Sequence, residues 1–153
     1  MRRPAVTALT VAIAAATATS AVGASAATKP RTHVIKGSYD LTLLPDPTVE
    51  ATDQTGTSCA NVNPEAADLH PLNLPARGLL HVVLDGTDPS GQALDWDLYL
   101  LDAQGNEIGV SNGSTSHEEI YLPGAGKGKV TIKACNLAGA PTATVTYKFT
   151  YKK

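Results

Sequence analysis

Helical pattern is what this sequence lacks most. After residue 27, almost no stretch repeats apolar residues at the three-to-four spacing of an amphipathic helix. An α/β fold, which alternates helices with buried parallel strands, is therefore not expected. Catalytic and metal-binding spacings are missing as well. None of the four histidines, His33, His70, His81 and His117, stands in an H-x-x-x-H or H-E-x-x-H arrangement, so no local zinc motif is present. There is no G-x-S-x-G, and Ser58 beside Cys59 lacks the context of a nucleophile. The stretch Gly124-Ala125-Gly126-Lys127-Gly128-Lys129 is short of a full phosphate-binding loop and precedes a strand pattern, which makes it a glycine-rich β-turn. No enzymatic activity is expected.

A basic surplus is absent too. Lysine and arginine number 12 against 14 acidic residues, a net charge of −2. Nucleic acid and anionic membrane are poor partners for such a chain. Long apolar runs are confined to the N-terminus. There Met1-Arg2-Arg3 is a positive start, Thr7 to Ala18 is apolar and alanine-rich, and Ala24-Ser25-Ala26 forms an A-x-A cleavage pattern. Residues 1–27 are read as a secretory signal peptide, which predicts a secreted, extracellular protein with no membrane span in the mature chain. Without Arg2 and Arg3, the 12 basic residues fall to 10 against 14 acidic ones, a net charge of −4. Residues 28–153 are enough for one domain.

Cysteine is scarce: the chain has two, Cys59 and Cys135. In an oxidising compartment an even count reads as disulfide bonding, so a Cys59–Cys135 bond is expected. The sequon Asn112-Gly113-Ser114 bears on the protein only in a eukaryotic secretory pathway.

What the chain does contain is short apolar alternation broken by Gly, Pro, Asn and Asp. Strands are predicted at Tyr39–Leu44 (starting as early as Val34), Leu79–Leu84, Asp97–Leu101, Glu107–Ser111, Glu119–Leu122, Lys129–Cys135 and Ala143–Tyr151. In the last, Val145, Tyr147, Phe149 and Tyr151 share one face, and Thr144, Thr146, Lys148 and Thr150 the other, the pattern of a half-buried antiparallel strand. About seven to eight such strands predict an all-β antiparallel sandwich of two packed sheets. The segment 45–78 interrupts this rhythm with Pro45, Pro47, Pro64, Pro71 and Pro75. It is either an ordered crossover tethered by the disulfide, hiding one or two short strands with Thr48–Ala51 as a candidate, or a binding loop.

The stretch DWDLYLLDAQGNEIG, Asp95 to Gly109, holds the chain's one Trp between two carboxylates. Alternation puts Trp96, Leu98 and Leu100 on a core face and Asp95, Asp97 and Tyr99 on the other. Asp102 to Asn106 reads as a hairpin turn, with Gly105 or Asn106 taking the positive φ that closes it. Asp95 and Asp97, with Asp85 and Asp88 of the preceding turn, are candidate calcium ligands, because calcium takes six to eight hard oxygens. The other reading gives them turn and hydrogen-bonding roles, which Asp fills readily. Tyr99 and Tyr121 are candidate outward-facing aromatics for a binding surface, or else cross-strand packing partners.

These residues carry a resemblance. D-x-D-L-Y-L followed by D-x-x-G-N, then the segment EEIYLPGAGKGKVTIKACNLAGAPTATVTYKFT, resembles the bacterial pre-peptidase C-terminal domain family over roughly Leu72 to Tyr151. The resemblance implies a compact jelly-roll-like β-sandwich. It also implies a module that accompanies exported enzymes and aids secretion, stability or attachment to polymeric substrates, with calcium stabilising some relatives. The cysteine pair and the proline-rich segment set this chain apart from the common pattern. The expected function is a non-catalytic module binding an extracellular polymer, an envelope component or a partner protein. The alternative is a secreted protease inhibitor acting through segment 45–78.

Overall fold

The computed structural model describes residues 29–48, 59, 62–87 and 95–153. The predicted signal peptide, Ser58 and Asp88 lie outside these residues, as does all of the candidate strand Thr48–Ala51 except Thr48. The described chain is all-β. Its strands are β1 (Thr32–Thr42), β2 (Ala67–Leu74), β3 (Gly78–Thr87), β4 (Asp95–Leu101), β5 (Glu107–Ser111), β6 (His117–Ala125), β7 (Gly128–Ala138) and β8 (Thr142–Lys152). One short 3-10 turn, Pro64–Ala66, precedes β2.

The strands form two four-stranded sheets, ordered β1-β8-β3-β6 and β2-β7-β4-β5. Every pairing is antiparallel. The partners β1–β8, β2–β7, β3–β6 and β4–β5 are those of one long hairpin rolled into two layers, the jelly-roll topology. The predicted sandwich is thus the observed one.

Alternation decides what fills the space between the sheets. Leu80, Val82 and Leu84 of β3, Trp96, Leu98 and Leu100 of β4, Ile132 of β7 and Val145 and Phe149 of β8 are all buried in one core. Trp96, Leu98 and Leu100 are on the core face, as the sequence predicts. In β8 the face of Val145 and Phe149 is inward, also as predicted, and Tyr147 and Tyr151 pack at the margin of the same core.

The proline-rich segment does hide a strand, β2. Its inward face mixes polar and apolar residues, because Leu72 and Leu74 are buried while His70 is half-buried. Pro71 is tolerated because β2 is the edge of its sheet, where a missing N–H costs no ladder bond. Asp46 ties the start of the segment down: its carboxylate accepts from Thr48 N at 2.8 Å and from Asn63 N at 2.6 Å. Those bonds hold the Asp46 carboxyl below its ordinary range.

Close approach explains one glycine. At Gly78, where β3 meets β8, a Cβ would strike the Thr150 carbonyl oxygen and come within 2.7 Å of the Phe149 ring. Gly78→Ala is expected to lower stability by about 1–3 kcal/mol, as overpacking does, measured by urea unfolding. An unchanged midpoint would show that β3 and β8 can separate at no cost.

Candidate functional site

The two outer faces of the sandwich differ. On the sheet β2-β7-β4-β5 the outer face is covered over its centre, at β7 and β4. Ala67, Cys135 and Asp97 are directly opposed across β2, β7 and β4. Cys135 is bonded to Cys59, as expected from the sequence. Cys59, Cys135, Tyr99 and Leu137 form a second buried cluster, with Val62, Ala67 and Leu101 packed against it. As a result β4 is buried on both faces from Asp95 to Leu100.

Cys59 is held at three points. Beyond the disulfide, its N–H donates to Asp97 Oδ2 at 3.2 Å, and its carbonyl accepts from Lys133 Nζ. Burial pushes the Asp97 carboxyl up to about 7; the Cys59 N–H opposes this, and the charges of Asp95 and Glu118 add to it. Burial, and then the charge of Glu118, also raises Asp95. Partial burial lowers Lys133.

The alternative reading of Tyr99 as an exposed ring does not hold: it is 4% exposed, beneath the Cys59 cover. Tyr121 does face outward, at 60% exposure. The aspartates predicted as calcium ligands are divided. Asp85 lies on the outer face of the other sheet, with its Oδ1 2.6 Å from His117 Nδ1. Asp97 is committed to Cys59, and Asp88 is outside the described residues. Among the described residues no group of three or more His, Cys, Asp or Glu side chains converges on a cation site. Asp85 and Asp97 are thus engaged separately, on different sheets.

The hairpin turn is as predicted. Asp102 Oδ1 accepts from Gln104 N at 2.9 Å and Asn106 N at 2.8 Å, and Gly105 takes φ 86°. Two polar residues were missed by sequence reasoning. Glu118, between the polar His117 and Glu119 in sequence, is 2% exposed. Its carboxylate accepts from Ser111 Oγ, from Gly113 N at 3.3 Å and from Thr115 Oγ1 at 3.2 Å, bracing the β5–β6 turn. Asn136 is fully buried and donates through Nδ2 to the carbonyls of Leu43 at 2.8 Å and Ala140 at 3.2 Å. Period two carried the signal for both, since Glu118 is in phase with Ile120, and Asn136 with Ile132 and Ala134.

On the sheet β1-β8-β3-β6 the outer face is open. Here the Tyr121 ring stacks on the His81 ring, with centroids 4.0 Å apart and planes 8° apart. The two residues are direct cross-strand partners. His81 Nε2 lies 2.7 Å from Glu119 Oε1, which fixes the imidazole beneath the phenol. His117 is held to Asp85 on the same face, and that hydrogen bond raises its pKa. The result is a preorganised pair of stacked rings beside titratable groups. Among the described residues no helix is long and apolar enough to cross a membrane.

No protein-family model matches the chain, and no curated protein matches it. Solved structures do. One is the pre-peptidase C-terminal domain of collagenase from Bacillus anthracis, 14% identical, with 78% of this chain and 89% of that chain covered at a TM-score of 0.39. No property of that domain is carried over to this chain.

Two expected outcomes follow from the covered face. The Asp97 carboxyl titrates at about 7 when folded and near 3.8 when unfolded, so the folded state holds its proton more tightly. Its contribution is full below about pH 3.8 and is lost as pH rises to about 7. Asp46 and Asp102 are lowered and act oppositely, losing their contribution as pH falls below the same 3.8. Melting temperature is expected to peak in the mildly acidic range, and Asp97→Asn to raise it at pH 8 and flatten its fall above pH 5. A wild-type melting temperature that climbs steadily from pH 5 to pH 8 would contradict this assignment. The disulfide spans 76 residues, a loop whose closure stabilises by about 4 kcal/mol in the chain-entropy model. Cys59→Ala/Cys135→Ala is expected to lose stability on that scale in guanidinium unfolding.

Proposed function

We propose that the chain is an exported, non-catalytic binding module of the pre-peptidase C-terminal type. Its ligand surface is the open outer face of the sheet β1-β8-β3-β6, and its ligand is an extracellular polymer. The observation that carries this reading is the Tyr121–His81 stack, braced by Glu119 and left exposed. An exposed ring at a protein surface is an amphipathic contact of low entropy cost. Held flat against a second ring, Tyr121 offers an aromatic plane without an ordering penalty on binding.

The family assignment is supported by D-x-D-L-Y-L at Asp95–Leu100 and D-x-x-G-N at Asp102–Asn106. Export is supported by the leader pattern in residues 1–27 and by the disulfide. A role in attachment rather than chemistry is supported by the absence of a nucleophile motif from the sequence. The inhibitor reading rests on segment 45–78, of which residues 49–58 and 60–61 lie outside the described residues.

The test is co-sedimentation with a panel of insoluble polysaccharides, peptidoglycan and collagen. Retention by at least one polymer is expected, with Tyr121→Ala weakening it about tenfold or more, the scale of a lost anchor ring. Equal retention of wild type and Tyr121→Ala would move the surface elsewhere. Retention by no polymer would sink the reading.

A further inference from the structure

One row of directly opposed residues crosses the open face: Lys36 of β1, Lys148 of β8, His81 of β3 and Tyr121 of β6. Its first two members are like charges placed opposite each other, an arrangement that weakens a sheet. Nothing described neutralises them. Among the described residues the ion pairs are His81–Glu119 and His117–Asp85, and neither includes a lysine. Asp40, the acid on β1, accepts instead from Thr144 Oγ1 at 2.8 Å. Lys36 alone has a structural explanation, because a lysine on an edge strand deters pairing with another chain. Lys148 has none of that kind, since β8 lies between β1 and β3.

The two lysines border a depression of about 240 Å³, lined also by Gly37, His81, Thr146 and Tyr147. Gly37 and Tyr147 are direct partners beside it, and with no side chain at Gly37 the Tyr147 ring lies against the β1 backbone on the inward face. The aromatic plane of Tyr121 adjoins this depression through His81.

We infer that the row is an anion subsite of the proposed binding face, and that its ligand is a carboxylated polysaccharide. This inference rests on the polymer-binding reading above and names its ligand class. One sugar carboxylate sits between the ammonium groups of Lys36 and Lys148, and a sugar ring further along the same chain lies on Tyr121. A single carboxylate on each sugar is a sparser charge than the sulfates and carboxylates of heparin, and the site suits the sparser one. Glu119 stands beside the row and the whole chain carries −2. Both repel a dense polyanion such as heparin more than a single carboxylate.

The experiment is isothermal titration of the full folded chain with polygalacturonate oligomers, a neutral mannan, heparin and poly(U). Polygalacturonate is expected to bind tightest and to weaken with added salt. Lys148→Gln and Lys36→Gln are each expected to weaken it about tenfold, the scale of a lost charged hydrogen bond. Both variants relieve like-charge repulsion, so their melting temperatures should not fall, and binding can be compared on folded protein. Mannan bound as tightly as polygalacturonate, with the lysine variants unchanged and Tyr121→Ala defective, would overturn the anion subsite and leave the binding face standing. Heparin or poly(U) bound as tightly as polygalacturonate would also overturn it. Failure of both polygalacturonate and mannan to bind would overturn the anion subsite, and the binding face would then stand or fall on the co-sedimentation panel.

Discussion

Covering β4 on its second face is the constraint on which much of this molecule turns. In an ordinary sandwich a strand buries one face and hydrates the other. Here Cys59, bonded to Cys135, lies over the outward residues of β4 and seals Tyr99 beneath it. The cover has a chemical consequence. Asp97 is buried and, among the described residues, is met by one donor, the Cys59 N–H, which is too little to hold a carboxylate at its ordinary acidity. A residue that the pattern assigns to solvent becomes a buried acid. The strap and the acid are coupled: Asp97 helps to hold Cys59, and Cys59 causes the burial of Asp97.

The same constraint explains what could and could not be seen in the sequence. The two-layer fold was legible because β3, the core face of β4, and β8 alternate strictly, and alternation is a property of consecutive residues. The Asp102–Asn106 turn was legible for the same reason, since its bonds close within four residues. The burial of Tyr99 was not legible. It is set by a residue far back in the chain, and no local period reports it. Strand β2 was obscured because its inward positions include Asp68 and His70, and because Pro71 argues against a strand until the edge position is known. Glu118 was partly legible: it is flanked by His117 and Glu119, both outward, but it shares the phase of Ile120 and is buried with it.

The two sheets divide the work. One outer face is sealed by a covalent tether and contributes stability, with its polar groups consumed by the tether. The other keeps its polar and aromatic groups at the surface, arranged by register alone. Because Lys36, Lys148, His81 and Tyr121 sit at one level of four paired strands, their spacing is that of the ladder, roughly 5 Å from strand to strand. A row on rigid strands is positioned more closely than one on loops. The open face is therefore the surface of this fold on which a repeating ligand can be met by a repeating scaffold.

The cost of that row is small and its location shows why. A like-charge pair directly opposite in a sheet destabilises on the scale of a few tenths of a kcal/mol to about 1. It falls at the middle of an 11-residue ladder between β1 and β8, which pairs without a bulge from Thr32 to Thr42. Interior ladder bonds on either side hold the strands whether or not the lysines repel. At a frayed strand end the same pair would open the sheet, and on the covered face it would carry the far larger penalty of buried charge. The centre of an exposed, uninterrupted ladder is the position where two unneutralised cations are tolerated, and there they remain available to a ligand from outside.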